Sequence, residues 1–238
     1  MADIRKEKII QDILVAVDTV AFTVKDSKLL ILLVKRKKNA NSYPNQWSLP
    51  GGIVNEKEDA STKETAIKKL QSKTGIRLEF VEQLKTYSGR ERDERGWSIS
   101  TVYFVLMRFV SELTVGDDVS EIKWVPVDEL DDYAPLAFDH SVIIDDAVQR
   151  LREKARYSLL PAYCLGKSFT FNEFHEAVEI ILRHPVQKKS LYRRIESSDA
   201  LEETGEMRDT GTKKAALYRT NNKTHGYTFD RNLAGSYL

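Results

Sequence analysis

The chain has 238 residues, 41% of them hydrophobic and 9% aromatic, an ordinary composition for a globular protein of one large domain or two small ones. Its net charge of +1 conceals an asymmetry, because residues 1–150 carry 22 Lys and Arg against 25 Asp and Glu, while residues 151–238 carry 15 against 11. A basic second part suits an anionic partner. A lone cysteine excludes an intramolecular disulfide, and the longest apolar run, Leu29–Val34, is far too short to span a bilayer.

The start, Met1 to Lys8, is charged and lacks a signal-peptide pattern, so a soluble cytoplasmic protein is expected. From Ile13 to Val24 β-branched and aromatic residues dominate, Asp26-Ser27-Lys28 supplies a turn, and Leu29–Val34 follows as a second apolar run. Together they predict a hairpin with one strand buried on both faces. Trp47-Ser48-Leu49-Pro50-Gly51-Gly52 reads as a short strand running into a glycine turn. Asp59 to Thr74 has helical composition, with Gly75 placed to stop it. Further strands are expected over Ile76–Tyr87, Ser98–Phe109 and Glu121–Val127, with a charged loop Arg90–Gly96 between the first two and a turn or short helix from Asp128. Asp139–Arg156 reads as a long helix with Val142, Ile143, Ala147, Val148 and Leu151 on its apolar side. Strands enclosing helices in this order predict an α/β domain over residues 1–150.

A second domain is expected over residues 151–238. Cys164 sits among Ala162, Tyr163 and Leu165, the setting of a buried structural thiol, and the four histidines show no ligand spacing, so no metal site is expected. In Phe169-Thr170-Phe171-Asn172-Glu173-Phe174, Thr170 can cap a helix, Glu173 can close a capping box and Phe169 can staple against Phe174. That helix ends at His184-Pro185. A second helix, Val186–Glu196, has an apolar side of Leu191 and Ile195 and carries Lys188, Lys189, Arg193 and Arg194. Leu201–Tyr218, with Gly205 and Gly211, predicts a hairpin whose tip carries Arg208, Lys213 and Lys214. Helix, tight turn, basic helix and basic hairpin is the order of a winged helix-turn-helix. These seven cations are the candidate DNA-binding residues. Tyr192, beside Leu191, is read as core in preference to a sugar or phosphate contact.

The segment from Trp47 to Glu58 resembles the entry to a Nudix box, G-x5-E-x7-R-E-U-x-E-E-x-G-U with U aliphatic. Gly52 and Glu58 fit its opening and Gly75-Ile76 its close, with two residues inserted near Ser61-Thr62. The R-E-U-x-E-E positions read Lys68-Lys69-Leu70-Gln71-Ser72-Lys73. In an active box, carboxylates at i, i+3 and i+4 share a helix face and supply oxygen ligands for Mg²⁺. Here that face carries Lys69, Ser72 and Lys73. One lysine ammonium beside a divalent cation costs about 8 kcal/mol at about 4 Å and an effective dielectric of about 20. Hydrolysis by the Nudix mechanism is therefore not expected. A working pyrophosphohydrolase with an accessory tail is the rival reading.

The chain as a whole resembles the Nudix-related transcriptional regulators of NAD metabolism. The segments that carry this are Ala16-Val17-Asp18-Thr19-Val20, Leu49–Val54, Arg92-Asp93-Glu94-Arg95-Gly96, Leu136-Ala137-Phe138-Asp139-His140, and Lys188–Ile195 with the hairpin after it. Asp93-Glu94-Arg95 departs from the family, which has proline in the middle. The resemblance implies a Nudix-like α/β/α sandwich with a mixed sheet and a C-terminal winged helix. It implies a homodimer that binds a palindromic operator in double-stranded DNA and represses genes of NAD synthesis or salvage. It also implies a non-catalytic pocket, without a cofactor, that senses ADP-ribose or a related nucleotide. Arg36 matches a diphosphate by its guanidinium fork, Arg90, Asp93 and Arg95 sit on an inter-strand loop, and His140 is a candidate donor to a ribose or phosphate oxygen.

Overall fold

A computed structural model describes residues 13–75, 78, 80–211 and 213–229. The charged run Met1–Lys8, Ile76 and the Lys73 side chain fall outside what is described. Strand β1 (Leu14–Lys25) and β2 (Lys28–Arg36) form the expected hairpin. Asp26 (φ 49°) and Ser27 (φ 57°) close it with both central residues left-handed, the geometry that matches the strands' own twist. After it come β3 (Trp47–Ser48), β4 (Gly51–Ile53), helix α1 (Thr62–Thr74), β5 (Phe80–Gly89), β6 (Ser98–Leu106) and β7 (Val119–Pro126). The sheet runs β3-β2-β1-β6-β5, with β4 added to β1 and β7 to β2; β1 and β6 are parallel and the other pairs antiparallel. It is therefore mixed.

Period-2 alternation divides the sheet between two helical layers. Val20, Phe22, Ile31 and Leu33 face α2 (His140–Ala155), packing with Ile143, Ile144, Ala147 and Leu151. Ala21 and Leu32 face the other way, against Leu70 of α1. Helix α1 starts at Thr62 rather than Asp59 because Ser61 caps it, accepting from the Glu64 N–H at 3.2 Å. The expected insertion near Ser61-Thr62 thus falls at the start of the helix, with Ser61 as its cap and Thr62 as its first residue. Gly75 ends it with φ 69°. In α2 the stripe is Ile143, Ile144, Ala147, Val148 and Leu151, and Val142 is 56% exposed. Its expected place on the apolar side is corrected: it lies one residue off the i, i+4 row that Ile143 starts.

A 3-10 turn (Leu160–Cys164) leads into β8 (Phe169–Thr170), α3 (Phe171–Leu182), α4 (Lys188–Glu196), β9 (Leu201–Asp209) and β10 (Lys214–Thr220). The capping box at Thr170 and Glu173 is present in both halves, and the Phe169 and Phe174 rings stack at 6.2 Å. Strands β8, β10 and β9 form a separate sheet in that order, beside the α3–α4 pair. This is a winged helix. The expected boundary at residue 150 falls inside α2, whose Leu151 and Ala155 share one core with Phe174, Val178 and Ile181 of α3. Cys164 is buried in that core, and burial pushes its thiol up to about 12. Among the described residues no helix is long and apolar enough to cross a membrane.

Candidate functional site

Two concave features gather the charged residues singled out in the sequence. The first is a cavity of about 370 Å³ between β1, β4, the loop after β2, the β5–β6 loop and the start of α2. Arg36, Asp93, Arg95 and His140 line it together; Arg90 is exposed and is not among the lining residues. At its floor lies Asp18, the one charged residue in the buried run of β1. Ser100 Oγ donates to Asp18 Oδ2 at 2.6 Å, His140 Nε2 faces Oδ1 at 3.5 Å, and Arg92 Nη2 stands 3.8 Å from Oδ2. Burial alone would raise this carboxyl, but the His140, Ser100 and Arg92 partners outweigh it and hold it below the ordinary carboxylate value. Gly51 is required here: a Cβ would lie 2.1 Å from Asp18 Oδ1 and 2.5 Å from the Val17 carbonyl.

His140 is 2% exposed, and its Nδ1 accepts the Leu49 N–H at 2.9 Å, which puts the ring hydrogen on Nε2 toward Asp18. The expectation that it donates to a ligand is thus corrected, since both ring nitrogens are engaged within the protein. Asp139 stands at the helix start without capping it and holds Arg92 instead, at 3.1 and 3.0 Å. Asp93 grips Arg95 in the same two-pronged way, at 3.0 and 2.7 Å, and this pairing raises the Arg95 guanidinium above its ordinary value. Arg36 differs. Its hydrogen bonds go to neutral oxygens, the Ser42 carbonyl at 2.9 Å and hydroxyl at 3.1 Å. Burial, and then the nearby Arg95, lower its guanidinium from the ordinary value, so an anion beside it would relieve both penalties.

Above these groups lies Phe138, a non-glycine residue held at φ 58°, a conformation that costs of the order of 1–3 kcal/mol. The Arg36 and Arg95 guanidinium carbons stand 5.1 and 5.9 Å from its ring centroid, and the Tyr43 ring is 4.5 Å away. A cationic fork beside an aromatic face is suited to a phosphate joined to a flat or sugar-bearing group. At the box helix, Lys68 pairs with Glu64 at 2.9 Å and Asp59 at 3.3 Å, and the Lys69 stem lies where a Gly52 Cβ would meet it at 3.2 Å. Among the described residues no group of three or more His, Cys, Asp or Glu is placed to hold a metal ion.

The second feature is a groove of about 550 Å³ between α4 and the β9–β10 wing. Lys188 and Lys189 from the first turn of α4 face Lys213 and Lys214 of the wing across Tyr192 and Tyr218. Tyr192 is 37% exposed and meets Phe171 edge-on at 5.1 Å, so it is a groove wall more than core. The other three candidate DNA-binding residues do not line this groove. Arg193 is exposed on α4, and Arg194 is turned back with its guanidinium carbon 5.3 Å from the Phe229 ring centroid. Arg208 is corrected to a structural role, because it donates to both Glu173 carboxylate oxygens at 2.8 and 3.0 Å and to the Ser168 carbonyl. The first turn of α4 carries no acidic residue and no side-chain cap. Two lysines at the positive end of a helix dipole destabilise the isolated helix, by about 0.3–1 kcal/mol each. The same arrangement suits a phosphate.

Sequence reasoning gave no role to Asp18, Phe138, Ser100 or Arg92. A lone carboxylate within an apolar strand was the available signal for Asp18. The others depend on contacts between segments distant in the chain, 47 residues apart for Arg92 with Asp139 and 82 for Ser100 with Asp18.

Comparison with known proteins agrees with both features. The Nudix domain family matches residues 13–147, and the NrtR DNA-binding winged helix domain family matches residues 161–220. The chain is 35% identical over 225 residues to the ADPR-responsive transcriptional repressor NtrR of Acinetobacter baylyi, covering 92% of this chain and 87% of that protein. The structure of Shewanella oneidensis NrtR complexed with a 27mer DNA superposes with a TM-score of 0.83 at 37% identity, over 92% of this chain and 99% of that one. The Nudix domain of the same protein complexed with ADP ribose superposes with a TM-score of 0.56 at 37% identity, over 60% of this chain and 90% of that one. The chain thus belongs to the Nudix family, in the branch of regulators that join this domain to an NrtR-type winged helix.

Proposed function

We propose that this protein is a cytoplasmic transcriptional repressor that grips operator DNA through α4 and the wing and responds to ADP-ribose held in the Nudix pocket. The observation that carries the proposal is the four-lysine groove, with Lys188 and Lys189 set at the positive end of α4 against Lys213 and Lys214. Such placement is unfavourable to the free protein and favourable only with a polyanion present. In the pocket, Arg36 takes the diphosphate, Phe138, with Tyr43 packed against it, offers the aromatic face, and Asp93 sets the angle of Arg95. The DNA-bound and ADP-ribose-bound relatives support the pairing of the two ligands.

The protein acts as a homodimer on a palindromic site, since one groove covers one half-site and two-fold symmetry in the protein requires it in the DNA. Its targets are genes of NAD synthesis or salvage, as the family resemblance implies. It does not hydrolyse ADP-ribose, because lysines and a serine stand where the box needs carboxylates. The test is a titration against the duplex upstream of its own operon and a scrambled duplex, at several salt concentrations, with ADP-ribose and Mg²⁺ followed in parallel. Selective binding with intact ADP-ribose supports the reading. Equal affinity for both duplexes, or turnover of the nucleotide, contradicts it.

A further inference from the structure

One group in the pocket is held between the ligand space and the helix that leads to the DNA-binding domain. Arg92 is 8% exposed, on the loop between β5 and β6, and lines the cavity. Its Nε and Nη2 are held by the Asp139 carboxylate at 3.1 and 3.0 Å, and Nη1 donates to Ser98 Oγ at 3.1 Å. Asp139 lies behind it, outside the cavity lining, at the first step of α2. A carboxylate there would ordinarily cap the helix and favour its dipole. This one forms no capping bond and is directed at Arg92 instead.

From that point α2 runs 16 residues, about 24 Å. At its far half, Arg152 Nε donates to the Ile181 carbonyl of α3 at 3.3 Å, and Leu151 and Ala155 share the core of Val178 and Ile181. Tyr87 donates to Asp146 at 2.6 Å and Lys154 is paired with Glu82 at 2.7 Å, so the middle and the last turn of the helix are also tied to β5. One stiff element touches the pocket at its start and the winged helix at its end. Its start is fastened by two neighbouring residues, Asp139 through Arg92 and His140 through Leu49 and Asp18.

We propose that Arg92 is the switch of the sensor: the diphosphate of an entering nucleotide and the Asp139 carboxylate compete for one guanidinium fork, and occupancy releases the start of α2. The inference rests on the ADP-ribose reading above. A guanidinium fork pairs in the two-pronged manner with a carboxylate or with a phosphate. A diphosphate in this cavity adds negative charge beside Asp18 and Asp139, so it weakens the Asp139 hold twice over, by taking the donors and by repulsion. A ligand moves such an equilibrium only by its difference in affinity for the two arrangements, and Arg92 provides that difference. Arg36 anchors the ligand in either state; Arg92 is the positioning residue that reports it.

The test is Asp139→Asn in the full-length protein, with ADP-ribose affinity read by calorimetry and operator affinity by fluorescence anisotropy. In the wild type, saturating ADP-ribose weakens operator binding by about 5- to 150-fold, the usual range of coupling between sites. In D139N the nucleotide binds more tightly than in the wild type, because its competitor has lost its charge. Operator affinity without nucleotide sits near the wild type's nucleotide-bound value, and ADP-ribose shifts it less than the wild type's lower limit of about 5-fold. A merely structural defect does not tighten ligand binding. D139N with unimproved ADP-ribose affinity, or with the wild-type fold-change on DNA, overturns the switch. Should D139N not fold, the ¹⁵N resonance of Arg92 Nε in the wild type, assigned through Arg92→Lys, decides: it moves on adding ADP-ribose, and a stationary resonance overturns the proposal. A wild type indifferent to ADP-ribose sinks the sensor reading itself, whereas a responsive wild type with an equally responsive D139N sinks only the switch.

Discussion

Replacing both wing lysines, Lys213→Ala with Lys214→Ala, isolates the electrostatic part of DNA binding. Each lysine that neutralises a phosphate releases a condensed counterion and contributes about −0.9 to the slope of log affinity against log salt. The groove holds four lysines, so the proposed dimer holds eight, and full engagement gives a slope of about −7. The double variant removes half of them and relaxes the slope to about −3.5. Between about 50 and 200 mM salt the wild type then loses about four decades of affinity and the variant about two. Both lysines are exposed, so folding stability changes by no more than about 0.5 kcal/mol. Fluorescence anisotropy of a labelled duplex at five salt concentrations reads the slope. Arg194→Ala and Arg208→Ala are the controls, because Phe229 and Glu173 hold those side chains. They leave the slope in place. A double variant with the wild-type slope, or controls that flatten it equally, refutes the assignment of the groove.

Three further outcomes follow from the pocket. Arg36→Ala removes the guanidinium whose hydrogen bonds go to neutral groups and weakens ADP-ribose binding by about 1.5–3 kcal/mol in calorimetry; an unchanged dissociation constant places the diphosphate elsewhere. Gly51→Ala drives a methyl into Asp18 and the Val17 carbonyl and costs about 1–3 kcal/mol, seen as a Tm lower by roughly 2–10 °C, and an unaltered melt contradicts the close approach. Asp18 is held below its ordinary 3.8 when folded, so its ionisation stabilises the protein fully above that value, and the gain is lost as pH falls through the lower folded value. The stability gap between wild type and Asp18→Asn in urea is therefore constant near neutrality and narrows below about pH 4. A gap that widens in acid reverses the sign and rejects the network.

Local chemistry was legible from the chain and long-range pairing was not. The hairpin turn at Asp26-Ser27, the stop at Gly75 and the box at Thr170-Glu173 each depend on residues within four positions, and all three are present. Val142 was misplaced because an apolar residue beside a helical stripe matches it in composition without facing it. Arg194 and Arg208 look in sequence like the other cations of their segments, yet Phe229 and Glu173, 35 residues away in each case, engage them. His140 is legible as a pocket residue through its motif, but the partners that occupy its nitrogens, Leu49 in the β3–β4 link and Asp18 in β1, are distant in the chain. That one helix serves both domains was not legible either. Composition changes near residue 150, whereas α2 continues to Ala155 and packs on both sides of the change.

The most direct test is the operator affinity of the wild-type protein as a function of ADP-ribose, with the nucleotide assayed at the end of the titration in the presence of Mg²⁺. The account predicts selective, salt-sensitive binding that weakens to a plateau as the pocket fills, with the ADP-ribose recovered intact. Operator affinity that ignores a saturating nucleotide, or ADP-ribose recovered as its hydrolysis products, contradicts it.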